Sequence, residues 1–268
     1  MTNIEKHKPG SFCWIDLATT DQNAAKKFYG ELFGWTAKDN PMGPNDTYTI
    51  FQVDGRQVGA GYTLQGHQRE RGIPPHWGLY VATESADASA KRAAELGAKV
   101  LAPPFDVSDA GRMAAFQDPT GAAFSVWEPK RNVGSRIVGV DGTLCAADLL
   151  TPDQDAASAF YEKLFGWKIG KEDEDPVHRY YHIFNGEEFI GGIPPASFAG
   201  GGPAHWQIYL QVSNCEATAA KAKKLGARIY MPAMKIENVG WMCVMADPQG
   251  AAFAIFQRAR TNTVISGQ

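Results

Sequence analysis

Alternating apolar and polar residues open each half of the chain, and a helical stripe follows each run. From Phe12 to Leu17, Cys13, Ile15 and Leu17 alternate with Trp14 and Asp16. Later, Cys145, Ala147 and Leu149 alternate with Ala146 and Asp148. A period of two puts each set on its own face of a strand. Asp21 and Asp153 then stand where a carboxylate suits the positive end of a helix. Ala24, Phe28, Leu32 and Phe33 follow at helical spacing, as do Ala156, Phe160, Leu164 and Phe165. Gly34 and Gly166 end both helices, because glycine tolerates the left-handed conformation.

Hairpins come next. "TYTIFQVDGRQVGAGY" reads as two strands about Asp54-Gly55, with Asn185-Gly186 as the expected counterpart turn. A strand over His76–Ala82, a helix over Ser85–Leu96 and a last hairpin at "DPTG" complete the first half. "DPQG" closes the second half in the same way.

The two halves repeat one another. "KKFYGELFGW" ends at Trp35 and "SAFYEKLFGW" at Trp167, 132 positions later. "PHWGLYV" pairs with "AHWQIYL", "LGAKV" with "LGARI", and "DPTGAAFSVW" with "DPQGAAFAIF". The period exceeds the roughly 20–50 residues of a solenoid turn and matches a whole domain. Each half is two βαβββ units, so the chain carries four. Domains are expected over 8–130 and 143–260, with the polar, glycine-containing segment 131–142 as linker and a polar tail from about Ala259.

Composition narrows the function classes. The 268 residues are 44% hydrophobic and 21% charged, as in globular proteins. A net charge of −3 gives no basic footprint for nucleic acid. No apolar run has the roughly 18–20 residues of a membrane span, and the N-terminus lacks a signal-peptide core. The four cysteines have no metal or disulfide spacing. A cytoplasmic location with reduced thiols is the expectation.

Paired βαβββ units, "FY-x-x-LFGW" ending the first helix and "DP-x-G" at the last hairpin resemble the vicinal oxygen chelate superfamily. That superfamily includes glyoxalase I, extradiol dioxygenases, and bleomycin- and fosfomycin-resistance proteins. The likeness is to tandem-domain members described as glyoxalase-like or hydroxylase-like. It implies an α+β fold of two tandem domains whose mixed sheets curl around clefts, with the first helix packed on the convex side. Two halves in one chain imply a monomer acting as a pseudo-dimer, or a homodimer.

Enzymes of the superfamily hold a divalent metal with His, Glu or Asp on the concave face. Carried onto this chain, the ligand positions fall at Trp14 and Ala146, at about Gly78 and Gln207, and at Ser125 and Ala254. The remaining strand, "QVGAGY" or "FIGGIP", supplies no His, Asp or Glu. None of these is a strong ligand. His76 and His205 lie two residues before the mapped positions, on the same strand face. The concave faces are therefore expected to hold Asp16, His76 and Tyr80, and Asp148, His205, Gln207 and Tyr209. The Asp and His residues read as catalytic candidates in an acid–base pair, as two metal ligands, or as strand-end groups bonded locally.

His178 and His182, four apart in "HRYYH", read as strand rather than as a helical ligand pair. Cys13 and Cys145 read as small buried hydrophobes. Trp14 and Trp127, with Phe256 in the matching place and Trp241 in place of Arg112, suggest an aromatic-walled pocket. The expected function is binding of a small, flat organic ligand by Trp14, Tyr80, Trp127, Gln207 and Tyr209. No cofactor is expected, and a divalent metal is the lesser alternative. The competing class is a lyase, dioxygenase or hydroxylase-like enzyme using the Asp and His residues.

Overall fold

The computed structural model describes residues 3–44, 46–171, 180–199 and 201–259. In the first half β1 (Phe12–Thr19) leads to α1 (Gln22–Phe33), then β2 (Thr36–Pro41), β3 (Thr47–Val53), β4 (Arg56–Thr63) and the short α2 (Gly66–Glu70). The second unit is β5 (His76–Ala82), α3 (Ala86–Glu95), β6 (Lys99–Val107), β7 (Gly111–Gln117) and β8 (Ala123–Pro129). The second half repeats this. It has β9 (Leu144–Leu150), α4 (Gln154–Phe165), β10 (Lys168–Lys171), β11 (Tyr181–Asn185) and β12 (Glu188–Ile193). It ends with β13 (His205–Gln211), α5 (Cys215–Lys224), β14 (Arg228–Ile236), β15 (Gly240–Ala246) and β16 (Ala252–Arg258).

Each half is one eight-stranded sheet, ordered β2-β3-β4-β1-β5-β8-β7-β6 and β10-β11-β12-β9-β13-β16-β15-β14. β1 runs parallel to β4 and antiparallel to β5, which runs parallel to β8. The two units of a half therefore join along β1 and β5, which places their side chains at the centre of the sheet. Among the described residues, no helix is long and apolar enough to cross a membrane.

Local signals explain the helix bounds. Asp21 and Asp153 accept the Ala24 and Ala156 amides at 2.9 Å, as N-caps do. Gly34 and Gly166 take φ of 74° and 70° and return N–H bonds to Gly30 and Glu162. The first hairpin turns at Asp54-Gly55, as expected. Its counterpart turns one residue later, at Gly186-Glu187, because Asn185 stays paired with Glu188. The Asn185 amide also donates to Pro9 O and Ser11 Oγ, which ties it to the N-terminal segment.

The strand alternation breaks at one point in each half. Bulges at Phe12/Trp14 and at Leu144/Ala146 insert an extra residue. Phe12, Ile15 and Leu17 thus face the main core, while Cys13 joins Trp14 on the other face. The expected set of Cys13, Ile15 and Leu17 on one face is corrected accordingly. Leu144, Ala147 and Leu149 form the matching core set.

The main core is continuous across both halves. Its centre is a reciprocal hydrogen-bond chain. Trp77 Nε1–H donates to Tyr29 OH at 3.0 Å, and Tyr29 OH donates to Asp247 Oδ2 of the other half at 3.0 Å. Trp206 Nε1–H donates to Tyr161 OH at 3.0 Å, and Tyr161 OH to Asp118 Oδ2 at 2.9 Å. Asp118 and Asp247 are the aspartates of the "DP-x-G" hairpins. Both tyrosines are fully buried, so the helical stripe is Ala25, Phe28, Tyr29 and Leu32 rather than one running through Ala24. Phe28 meets Phe253 and Phe160 meets Phe124 edge-on across the same boundary. Trp35 and Trp167 donate to Gly142 O and Gly10 O at 2.7 and 2.8 Å, pinning the linker and the N-terminal segment.

Tyr29→Phe leaves the buried Trp77 N–H without an acceptor and removes a donor from Asp247. Each orphaned buried group costs about 1–3 kcal/mol. Urea denaturation is expected to register a loss in that range for Tyr29→Phe and a comparable one for Tyr161→Phe. Both variants should keep a single unfolding transition, because one core serves both halves.

Candidate functional site

The face of each sheet turned away from the shared core carries the candidate residues. In the first half Cys13, Trp14, Tyr80, Ala82, Trp127 and Ala60 pack as a second small cluster, flanked by Tyr48, Ile50 and Met113. Asp16 sits at its centre, 7% exposed. Tyr80 OH donates to Asp16 Oδ2 at 2.7 Å, and Tyr48 OH approaches the same oxygen at 3.5 Å. Trp14 Nε1–H donates to Tyr48 OH at 3.0 Å. Trp127 lies over the bare Gly111 and donates to Asn132 O at 2.7 Å. Burial raises the Asp16 pKa, and the tyrosine hydroxyls and the nearby His76 oppose that rise.

Asp148 has the matching place in the second half and is held more fully. Tyr180 OH and the Gly192 N–H reach its Oδ1 at 2.7 and 2.9 Å, and Tyr209 OH reaches Oδ2 at 2.9 Å. Burial pushes its pKa up to about 6 against the pull of those three donors. Gln207 is buried beside Asp148 in the sheet register, and its amide turns to Ile208 O at 3.3 Å. In the first half the same register place holds Gly78.

The structure brings Trp14, Asp16, Tyr80 and Trp127 to one face, and Asp148, Gln207 and Tyr209 to the other. The histidines lie at the strand ends. His76 Nδ1 pairs with Pro74 O at 2.8 Å and the exposed His205 Nδ1 with Pro203 O at 2.9 Å, each ring bonding a local carbonyl. Trp241 belongs elsewhere, since it packs against the main core rather than on a cleft wall. His178 lies outside the described residues. His182 is on β11, as a strand reading requires, in a row of rings with Tyr180, Phe184 and Phe189.

Tyr48 and Tyr180, whose hydroxyls complete the two centres, fall outside the candidate set. The repeat carries a signal for them. Tyr180 follows Tyr48 by 132 positions, the same offset that separates Asp16 from Asp148.

Replacing Trp14 by Ala146 changes the second face. A cavity of about 690 Å³ opens there, lined by Cys145, Ala146, Glu188, Phe189, Asn238, Val239, Phe256, Arg258 and Ala259. Its size falls in the range of organic-ligand pockets. The Cys145 thiol is pushed up to about 12 by burial, so it stays protonated and is no nucleophile.

Among the described residues no three His, Cys, Asp or Glu side chains converge. The centre of each face offers one carboxylate among phenols. That donor set falls short of the three or four protein ligands of a zinc-type site.

Residues 11–126 match the profile of the Glyoxalase/Bleomycin resistance protein/Dioxygenase superfamily, and residues 144–256 that of a Glyoxalase-like domain. CFP32 of Mycobacterium tuberculosis, which carries a provisional glyoxylase name, is 38% identical over 97% of this chain and 99% of its own. The anthracycline biosynthesis protein DnrV of Streptomyces peucetius is 33% identical over 95% of each chain. Among solved structures, the Mn(II)-bound glyoxalase from Novosphingobium aromaticivorans superposes with a TM-score of 0.65 at 16% identity, over 93% of this chain and 82% of that one. A mutant 4-hydroxymandelate synthase from Streptomyces coelicolor gives 0.63 at 12%, over 94% and 93%. At these identities the two solved structures share the fold.

Folded Asp148 holds its proton up to about pH 6, whereas the unfolded chain releases it near the ordinary aspartate value of about 4. Its contribution to stability is therefore complete below about pH 4 and is lost as pH rises through about 6. Carboxyl carbon-13 NMR of aspartate-labelled protein should find this midpoint at about 6. In Tyr209→Phe, which removes a donor to the charged form, the midpoint should move higher.

Proposed function

The chain belongs to the glyoxalase/bleomycin resistance protein/dioxygenase superfamily, and within it we propose that the protein binds a small, flat organic molecule without a built-in divalent metal. The cavity beside Ala146 carries this reading. Phe189 and Phe256 offer apolar ring surface, while Glu188 and Arg258 offer charge at the same opening. Apolar walls with a few polar groups suit a planar metabolite. One full-length relative is named for anthracycline biosynthesis, and anthracyclines are flat fused-ring molecules. The first half keeps its own aromatic cluster where the second half has space, so the two faces do different work.

The competing reading is an enzyme that uses Asp16 or Asp148, with His76 or His205, as acid–base or metal-binding groups. The buried carboxylates favour it to the extent that raised pKa values gather at working sites. The histidine bonds to local carbonyls favour the binding reading.

A set of flat polycyclic aromatics, followed by tryptophan quenching and thermal shift, tests the binding reading. At least one is expected to raise Tm by several degrees at saturation. Ala146→Trp, which restores the first half's residue, should weaken that ligand about tenfold or more by filling the cavity. Elemental analysis tests the competitor. Far less than one divalent ion per chain is expected, whereas one tightly held ion lost in His76→Ala or His205→Ala supports the enzyme.

A further inference from the structure

The cavity beside Ala146 has a counterpart place in the first half, and there the chain itself covers it. The cover is the segment that leaves β8. The Lys130 and Asn132 N–H groups donate to Ala110 O at 3.0 and 2.9 Å, and Trp127 Nε1–H donates to Asn132 O at 2.7 Å. Gln57 Nε2 donates to Gly134 O at 2.6 Å. Ser135 N–H donates to Cys13 O at 2.7 Å, and Arg136 N–H to Gln57 O at 2.8 Å. Residues 130–136 thus run from the β6–β7 turn, over Cys13 of β1, to Gln57 of β4.

The repeat carries these contacts onto the cavity. Cys13, Gln57, Ala110 and Trp127 correspond to Cys145, Phe189, Val239 and Phe256, and all four of the latter line it. The chain leaving β16 sets out in the same way. Ala259 N–H donates to Val239 O at 3.0 Å, as Lys130 does to Ala110, and Ala259 is itself a lining residue. The walls differ between the halves, and the sequences that follow differ to match. Gly134 lies so close to β1 that a Cβ there would overlap the Cys13 carbonyl. In the second half Ala146 leaves space, and Phe189 and Val239 are 45% and 51% exposed, which large apolar side chains on a free surface seldom are together. The sequence after Ala259 reads "RTNTVI". Thr263, Val264 and Ile265 follow Ala259 at the intervals that separate Gly134, Ser135 and Arg136 from Lys130. The half with the narrow place has glycine there, and the half with the wide place has branched side chains to fill it. Five residues reach up to about 17 Å, which spans a cavity of about 690 Å³.

We propose that the cavity beside Ala146 is the seat of this chain's own residues 260–265, laid across it as residues 131–136 lie across the first half. Val264 and Ile265 supply the apolar surface that the wall around Phe189 lacks. A small ligand must then displace the segment to enter. That competition rests on the ligand reading given above, whereas the seat itself does not.

Hydrogen–deuterium exchange of the full chain, read by mass spectrometry across residues 260–266, tests the seat. In wild type these amides should exchange about tenfold or more slowly than the same peptide free in solution. Phe189→Ser and Val239→Ser each remove an exposed wall side chain, and each should restore most of the free rate. Having both keeps the test open if one fails to fold. Exchange at the free rate in wild type would overturn the proposal, as would slow exchange that neither variant relieves. Slow exchange that sets in only as protein concentration rises, with a dimer in sedimentation, makes a second copy the occupant and overturns it too. The fluorescence of 1-anilinonaphthalene-8-sulfonate, an aromatic anion, reports the competition. Val264→Asp/Ile265→Asp should bind it about threefold or more tightly than wild type, because the cavity then stands open for a larger share of the time. Equal affinities would overturn the competition. A wild type that exchanges at the free rate, yet gains Tm from a flat aromatic in a way that Ala146→Trp weakens, loses the seat and keeps the ligand reading.

Discussion

Everything in this molecule hangs on a hydrogen-bond chain that crosses between its halves. An indole N–H donates to a buried tyrosine hydroxyl, which donates to the aspartate of the other half's last hairpin. Each tyrosine is both acceptor and donor, so its one polar atom is fully used inside an apolar core. Removing any member strands another. The same aspartates also take backbone amides of their own turns, Asp118 from Thr120 and Ala122, and Asp247 from Gln249, Gly250 and Ala251. The turn of one half is thereby fixed to the first helix of the other. The constraint falls twice on the same phrase, which explains why "FY-x-x-LFGW" persists in both copies.

With the inner faces locked, the outer faces are free to differ. Trp14 fills its face and bonds Tyr48, whereas Ala146 leaves room for a cavity. Gly78 makes room for the Asp16 carboxylate itself, whereas the equivalent register place beside Asp148 carries the Gln207 side chain. A twofold fold thus carries two unlike faces.

Much of the architecture could be read from residue patterns, because its determinants are local. Caps at Asp21 and Asp153 and stops at Gly34 and Gly166 act within one helical turn, and the duplication supplied a second copy to check each of them. What escaped were features set by distant partners. Tyr29 and Tyr161 look polar in sequence, yet each is fully buried because its hydroxyl has partners from other elements. A bulge shifts Cys13 to the other face, and no composition signal marks where a strand gains a residue. Asp16, Tyr80 and Trp127 were placed on the correct face by period two. Tyr48 and Tyr180 were missed, although comparing the halves position by position would have exposed them. His76 and His205 carry a residue type that suggests chemistry, and one ring nitrogen of each bonds a carbonyl two residues away.

The crossing bridge also bears on how the chain is made. Tyr29 leaves the ribosome early, and its partner Asp247 follows 218 residues later. For that interval Phe28, Tyr29 and Phe33 lack the Phe253 ring that packs against all three. A second nascent copy on the same message carries the same uncovered surface. Polysome spacing and chaperone occupancy therefore become part of this protein's yield, since the final hairpin is the piece that shields the first helix from its neighbours.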